Sequence, residues 1–297
     1  MPAPVVSIVI PTYNHAKFLR GALNSILAQT FTRWEAIVVN NFSQDDTVSV
    51  IESYDDPRIR LVNFANHGVI AASRNHGITA TTAPYIAFLD SDDIWYPEKL
   101  DRCLRRLQEG FDVVCHAEKW VGPGDRVRAV AYGPEARATY SGLLYEGNCI
   151  STSAVVVKRE FVERVGLFSE EAAFITAEDY ELWLKLARAG AKIGFVSDIL
   201  GEYLIHEGNQ SRVALRNMEA VMAVVQHHLA GQVSGSGASA LRARRRLALV
   251  YYSGARGLQD CGQFSAAWRY FLKAVMTYPL VPKFYAAMVL NACGRQP

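Results

Sequence analysis

The chain has 297 residues, of which 50% are hydrophobic, 11% aromatic and 20% charged. This excludes a disordered chain, because so much apolar surface offsets the entropy of ordering, and the length fits one α/β domain with appendages. A formal net charge of +2 gives no overall attraction to nucleic acid, which is not an expected partner, so charge has meaning only locally.

Val5 to Ile10 is a continuous apolar run ended by Pro11, the pattern of a strand buried on both faces of a parallel sheet. Phe18, Leu19, Ala22, Leu23, Ile26 and Leu27 then recur at helical spacing. The alternation continues with a strand at 36–39, a helix at 46–54, a strand at 59–62, a helix at 69–79, a strand at 85–89 and a helix at 98–108. Such alternation predicts an open, mostly parallel α/β sheet with crossover helices. Beyond residue 110 the signal weakens, with short strands at 113–114, 154–157 and 193–196 and an amphipathic helix at 177–189. From Leu215 the chain reads as helical, interrupted by the Gly/Ser-rich 231–239. A catalytic domain is therefore expected at 1–214 and a helical region at 215–297.

The five cysteines are scattered, odd in number and without a CxxC pair, against both a disulfide framework and a structural zinc site. Residues 1–10 lack a basic start and a cleavage site, and no apolar run approaches the roughly 18 residues of a spanning helix. The expectation is a cytoplasmic protein, soluble or at most peripheral at the inner face of a membrane.

In open α/β sheets ligands bind at the carboxyl ends of the strands. Polar residues gather there: Thr12, Tyr13 and Asn14, then Asn40 and Asn41, Asn63 and Asn66, and finally Asp90, Asp92 and Asp93. Each alone is compatible with an ordinary turn or helix cap. In Leu89-Asp90-Ser91-Asp92-Asp93, strand alternation would aim carboxylates 90 and 92 at one spot, an oxygen-rich setting suited to Mg²⁺ or Mn²⁺. Glu178 and Asp179 open a helix, where acids also meet the positive end of its dipole. His206 is compatible with a metal ligand or a loop histidine.

Taken together, these segments resemble family 2 glycosyltransferases of the GT-A fold. Val6 to Asn14, Ser25 to Phe31, Asn66-His67-Gly68, Ser73 to Gly77, Leu89 to Asp93 with Trp95 and Pro97, Glu178 to Trp183, and His206 with Asn209 and Ser211 follow the family's order and approximate spacing over residues 5–212. The resemblance implies that Pro11, Tyr13, Asn41 and Arg74 contact the nucleotide and Asp90 the nucleotide-sugar. It also implies that Asp92 binds Mn²⁺ or Mg²⁺, that His206 completes the metal site, and that Asp179, with Glu178 beside it, is the base deprotonating the acceptor. The implied reaction is inverting transfer from a nucleoside-diphosphate-sugar to a saccharide or lipid-linked hydroxyl in cell-surface polysaccharide or glycolipid synthesis.

Two departures stand out. The family's paired acids after the second strand are Asn40-Asn41 here; an asparagine both accepts and donates, and UDP- or dTDP-sugars are the favoured donors. The common Tyr-Arg-x-His is Tyr203-Leu204-Ile205-His206, without the arginine. These departures motivate an alternative, a catalytically inactive nucleotide-sugar-binding or scaffold protein. A nucleotidyltransferase is the third reading, disfavoured by the Glu-Asp helix and His206. Near the C-terminus Arg242, Arg244, Arg245 and Arg246 form either a contact for anionic lipid or a solvated helix face. Gly262, Phe264, Ala267, Phe271, Ala274 and Pro279 are spaced like one tetratricopeptide-type helix pair.

Overall fold

The computed structural model describes residues 2–206, 214–230 and 237–295. Asn209, Ser211 and most of the Gly/Ser stretch at 231–239 lie outside the described residues. The chain divides into two compact units: Met1–Tyr140, Cys149–Glu170 and Leu182–His206 form the first, and Ser141–Asn148, Glu171–Glu181 and Glu207–Pro297 the second.

The first unit is built on a nine-stranded sheet. Strands β1 (Val6–Thr12), β2 (Trp34–Asn40), β3 (Ile59–Asn63) and β4 (Tyr85–Phe88) lie side by side in the order β3-β2-β1-β4, all parallel. Helices α1 (Ala16–Leu27), α2 (Thr47–Glu52) and α3 (Ile70–Thr79) connect them, as the alternation predicted. Val6, Ile8, Val9 and Ile10 are fully buried, which explains the apolar run, and Ser7, its one polar residue, is buried with its hydroxyl on Glu35 at 2.9 Å. The strand continues past that run, with Pro11 and Thr12 paired to Val39 and Asn40.

The other half of the sheet is mixed. After the short β5 (Ile94–Trp95) and helix α4 (Lys99–Gln108) come β6 (Val113–Gly122), the edge strand β7 (Arg126–Val130), β8 (Val155–Lys158) and β9 (Ile193–Leu204). Strand β8 joins β4 and β6 antiparallel, β6 pairs β9 in parallel, and β5 closes the row antiparallel on β9. Strand β9 is 12 residues long, three times the expected apolar run, and its pairing with β6 shifts register between His116 and Lys119. That irregularity carries its end to Leu204, two residues before His206.

Helix α3 presses closely on the sheet. At Gly77 an added Cβ would lie 2.5 Å from Cγ1 of Val9 and 3.3 Å from Cγ2 of Val39, so only glycine allows this approach.

The second unit contains α5 (Tyr140–Glu146) beyond its first residue, the start of α7 (Glu178–Arg188), and α8 (Ala214–Ala230), α9 (Gly237–Asp260), α10 (Phe264–Thr277) and α11 (Pro282–Ala292); the short α6 (Arg159–Arg164) belongs to the first. Helices α9 and α10 form a hairpin turned at Gly262, whose φ is +72°. Ala255, Leu258, Ala267, Phe271 and Ala287 form one small core, and Ala248, Ala274, Val281 and Phe284 another. The arginine run at the start of α9 is not uniform. Arg246 is buried, donating to the Leu144 carbonyl at 3.0 Å and to the Tyr180 hydroxyl at 3.3 Å. Arg242 donates to Ser141 Oγ at 3.0 Å, while Arg244 and Arg245 are exposed.

Candidate active site

The ends of β1, β2 and β3 form a lip of amide groups. Asn40, buried, donates from Nδ2 to Asn63 Oδ1 at 2.7 Å and accepts at Oδ1 from the Ser43 amide and hydroxyl at 3.1 and 2.6 Å. Asn41 Oδ1 accepts the Asn66 backbone N–H at 3.0 Å. The loops after β1 and β2 are tied together by the Asn14 amide on Ser43 Oγ and the Gln44 amide on Asn14 Oδ1, at 2.9 and 2.7 Å. Pro11 is buried in β1. Tyr13 and Phe42, 50% and 59% exposed, flank these loops, and Phe42 holds a left-handed φ of 53°. Phe42 was not among the sequence candidates; its signal was an aromatic placed directly after the strand-end asparagines.

The acidic segment after β4 differs from expectation. Residues 90–93 form a turn, closed by the Asp93 amide on the Asp90 carbonyl at 3.0 Å, so strand alternation does not govern Asp90 and Asp92. The two carboxylates bond different partners. Arg74, buried on α3, donates to Asp90 Oδ1 at 2.8 Å, and the Asp90 amide donates to Ser153 Oγ at 3.1 Å. His206 Nε2 meets Asp92 Oδ2 at 2.8 Å. The His206 ring stacks on Phe18, with centroids 4.5 Å apart, and His15 Nδ1 lies 2.8 Å from Ser91 Oγ. Phe18 of α1 thus helps fix the imidazole beside the carboxylate.

Beneath the turn lies a buried ionisable layer, of which sequence reasoning named only Asp93. Asp93 accepts the Leu204 amide at 3.2 Å, fastening the end of β9, and through it His206, to the turn. Burial, with the charges of Asp92, Glu118 and Asp90, pushes the Asp93 carboxyl well above the usual carboxylate range. Glu118 is buried and accepts from the Tyr132 hydroxyl at 2.5 Å and Ser151 Oγ at 3.2 Å; burial raises it as well. Lys99 is fully buried, its Nζ 3.3 Å from the Val155 carbonyl and 3.4 Å from the centre of the Trp95 ring. Burial brings it down to about 7. His116, also buried, is lowered to about 3 by burial and the Lys99 charge. Nothing in a linear sequence distinguishes such carboxylates from solvated ones.

In the second unit, Glu178 is buried and its Oε2 accepts the Thr176 amide at 2.8 Å. Thr176 holds a positive φ of 86°. Asp179 is half-buried, and its Oδ1 accepts the Tyr180 amide at 2.7 Å. The Tyr180 hydroxyl is anchored on the Leu143 carbonyl at 2.6 Å. These bonds set the start of α7 and the orientation of both acids.

Residues 7–165, more than half of the chain, match the family model described as Glycosyl transferase family 2. The chain belongs to this family. An uncharacterized glycosyltransferase of Rickettsia typhi is 28% identical over 230 residues, covering 73% of this chain and 69% of the relative. WfgD of Escherichia coli, named as a UDP-Glc:alpha-D-GlcNAc-diphosphoundecaprenol beta-1,3-glucosyltransferase, is 29% identical over 185 residues, covering 62% of this chain and 70% of its own. Among solved structures, residues 1–349 of S. aureus TarS in complex with UDP-GlcNAc align with a TM-score of 0.67 at 22% identity, over 98% of this chain and 89% of that one. The first unit has the GT-A fold expected for the family.

Asp92 and His206 are the residues suited to a divalent cation. One carboxylate oxygen and one imidazole nitrogen already meet at one point, a donor set that fits Mn²⁺ and accepts Mg²⁺. Among the described residues no group of three or more His, Cys, Asp or Glu could hold a metal ion, so Asp92 and His206 offer two donors only.

Proposed function

We propose that this chain is an inverting glycosyltransferase that moves a hexosyl group from a UDP- or dTDP-sugar to a hydroxyl of a saccharide or lipid-linked acceptor, in the synthesis of cell-surface polysaccharide or glycolipid. The observation that carries the reading is the pairing of Arg74 with Asp90 and of His206 with Asp92, each at 2.8 Å, on one turn at the carboxyl end of β4. WfgD, by its name, takes UDP-Glc and an undecaprenol-linked acceptor, and TarS was solved with UDP-GlcNAc; both support this class of donor.

Tyr13 and Phe42 offer aromatic faces to the base, and Asn41, whose Oδ1 holds the Asn66 amide, turns its amide donor to a base carbonyl. Asp90, held by Arg74, bonds the sugar or ribose hydroxyls. Asp92 and His206 would hold Mn²⁺ or Mg²⁺, which when bound offsets the charge developing on the diphosphate. Asp179 takes the acceptor proton as the acceptor oxygen bonds to the anomeric carbon from the face opposite the breaking bond to phosphate. The products are the glycoside and a nucleoside diphosphate. Glu178, bonded to the Thr176 amide, holds the start of α7 in place behind Asp179.

The test is product analysis on the native chain and on Asp179→Asn, with UDP- and dTDP-sugars, a panel of saccharide and lipid-linked acceptors, and Mn²⁺. Native protein should release nucleoside diphosphate in step with glycoside. Asp179→Asn should bind donor normally and transfer about 10²-fold more slowly or worse, since general-base catalysis typically contributes that much. Release of sugar 1-phosphate, with the nucleotidyl group left on the acceptor, would identify a nucleotidyltransferase, and donor binding without turnover by native protein would identify a scaffold. Parental turnover by Asp179→Asn would remove the assignment of the base.

A further inference from the structure

The three C-terminal helices carry a charge unlike that of the rest of the chain. Residues 237–297 contain nine basic residues and a single acid, Asp260. Their net charge is +8, against +2 for the whole chain. Arg242, Arg244, Arg245, Arg269, Lys283 and Arg295 are exposed. Lys283 lies close enough to Arg245 and Arg256 for their charges, after burial, to lower its pKa, so three cations from α9 and α11 share one neighbourhood.

The same helices and their connection also expose apolar side chains. Met276 on α10 is 80% exposed, Leu280 in the following connection 75%, and Val289 on α11 64%. Leu272 and Tyr285 are half exposed. Helix α11 is apolar around most of its circumference: Phe284 and Ala287 face the core, while Pro282, Tyr285, Ala286 and Val289 face outward. A helix outside a core has no reason to be apolar on both sides unless the outer side also leaves water. No helix among the described residues is long and apolar enough to cross a membrane.

We propose that the outer side of α10 and α11, with Arg244, Arg245 and Lys283, docks on an anionic lipid bilayer, the apolar side chains entering the interface and the cations meeting the headgroups. Charge decides the occupant. A protein partner of neutral surface would leave the cations uncompensated, one of basic surface would repel them, and a second copy of this face would set like charges against one another. An anionic bilayer matches both the basic and the apolar part, each contributing to binding.

The experiment is vesicle co-sedimentation of the full chain, without donor or acceptor, so that it stands apart from any result on turnover. Vesicles of phosphatidylcholine with phosphatidylglycerol should retain the chain at least about tenfold more strongly than phosphatidylcholine alone, and salt near 0.5 M should weaken retention, since it screens the headgroup contribution. Met276→Asp with Val289→Asp, and separately Arg244→Glu with Arg245→Glu, should each lower retention about tenfold or more. All four positions are exposed, and unchanged far-UV circular dichroism and melting will confirm that the variants fold. Equal retention by both vesicle types, no retention at low salt, or folded variants that bind as well as the parent would overturn the proposal. So would a dimer, seen by light scattering, that Met276→Asp with Val289→Asp dissolves, since the face would then belong to a second copy.

Discussion

Two neighbouring stretches of the same sheet edge solve opposite problems. The lip at the ends of β1 to β3 is made of neutral amides that satisfy one another, Asn40 on Asn63 and Ser43, Asn41 on Asn66. The turn after β4 collects carboxylates over a buried layer holding Glu118, Lys99 and His116. Neutral groups in a closed hydrogen-bond network need no counter-charge and hold a fixed shape, whereas clustered carboxylates repel unless cations lie among them. The lip is therefore rigid without a ligand, and the turn is the part whose energy changes most when a cationic or phosphate-bearing ligand arrives.

The largest break in that comparison comes from Asp92→Ala. On the proposed reading it leaves His206 as the sole protein ligand, so Mn²⁺ should cease to strengthen donor binding in calorimetry, and transfer should fall about 10³-fold, corresponding to the several kcal/mol a positioned cation contributes. Undiminished enhancement by Mn²⁺ would move the metal elsewhere. On the neutral side, Asn40→Ala should act on stability. It removes the buried partner of the exposed Asn63 and of the half-buried Ser43, costing about 0.5–1.5 kcal/mol in urea unfolding; a loss within experimental error would mean that water replaces the network.

Lys99 sharpens the charged side through pH. Its folded pKa is about 7 while its ordinary value is 10.5. Between pH 7 and about 8.5 the unfolded chain therefore holds a proton that the folded chain has released. Stability contributed by this group rises with pH across that window and is lost as pH falls toward 7. Urea titrations at both ends of the window should show a gain for the parent that Lys99→Met lacks, and the same slope in both proteins would assign the dependence to another group. The smallest effect is expected at Asn41→Asp. The carboxylate still accepts the Asn66 amide, so UDP affinity should stay within about tenfold of the parent or improve. Tighter stabilisation of the parent by GDP than by UDP or dTDP would contradict the pyrimidine assignment.

Legibility in the sequence followed burial. Strands β1, β2 and β4 and the helices between them were readable because two covered faces demand an unbroken apolar run. Strand β7, with the sequence Arg-Val-Arg-Ala-Val, sits at an edge and carries no such signature. Most of β9 was hidden because Ser197 and Asp198 interrupt its apolar pattern while long-range pairing with β6 holds it extended. The same contrast applies to the candidate site. Arg74, Asp90, Asp92 and His206 were found through ordered motifs, and the structure pairs them as two couples. Strand alternation does not apply to Asp90 and Asp92, because the strand stops at Phe88 and a turn follows. Glu118 and Lys99 were passed over, and Asp93 was named only as a strand-end polar residue, because burial of a charged side chain is a property of the folded surroundings.

The close seat of α3 on β1 has a consequence for how donor affinity is calibrated. Gly77 stands one turn after Arg74 on the same helix, and the missing Cβ sets the standoff between helix and sheet. A methyl group there would lever the helix outward and draw the guanidinium back from Asp90, weakening a contact that residue 77 never touches. The thinnest side chain in the helix thus works as a shim, fixing the reach of the longest.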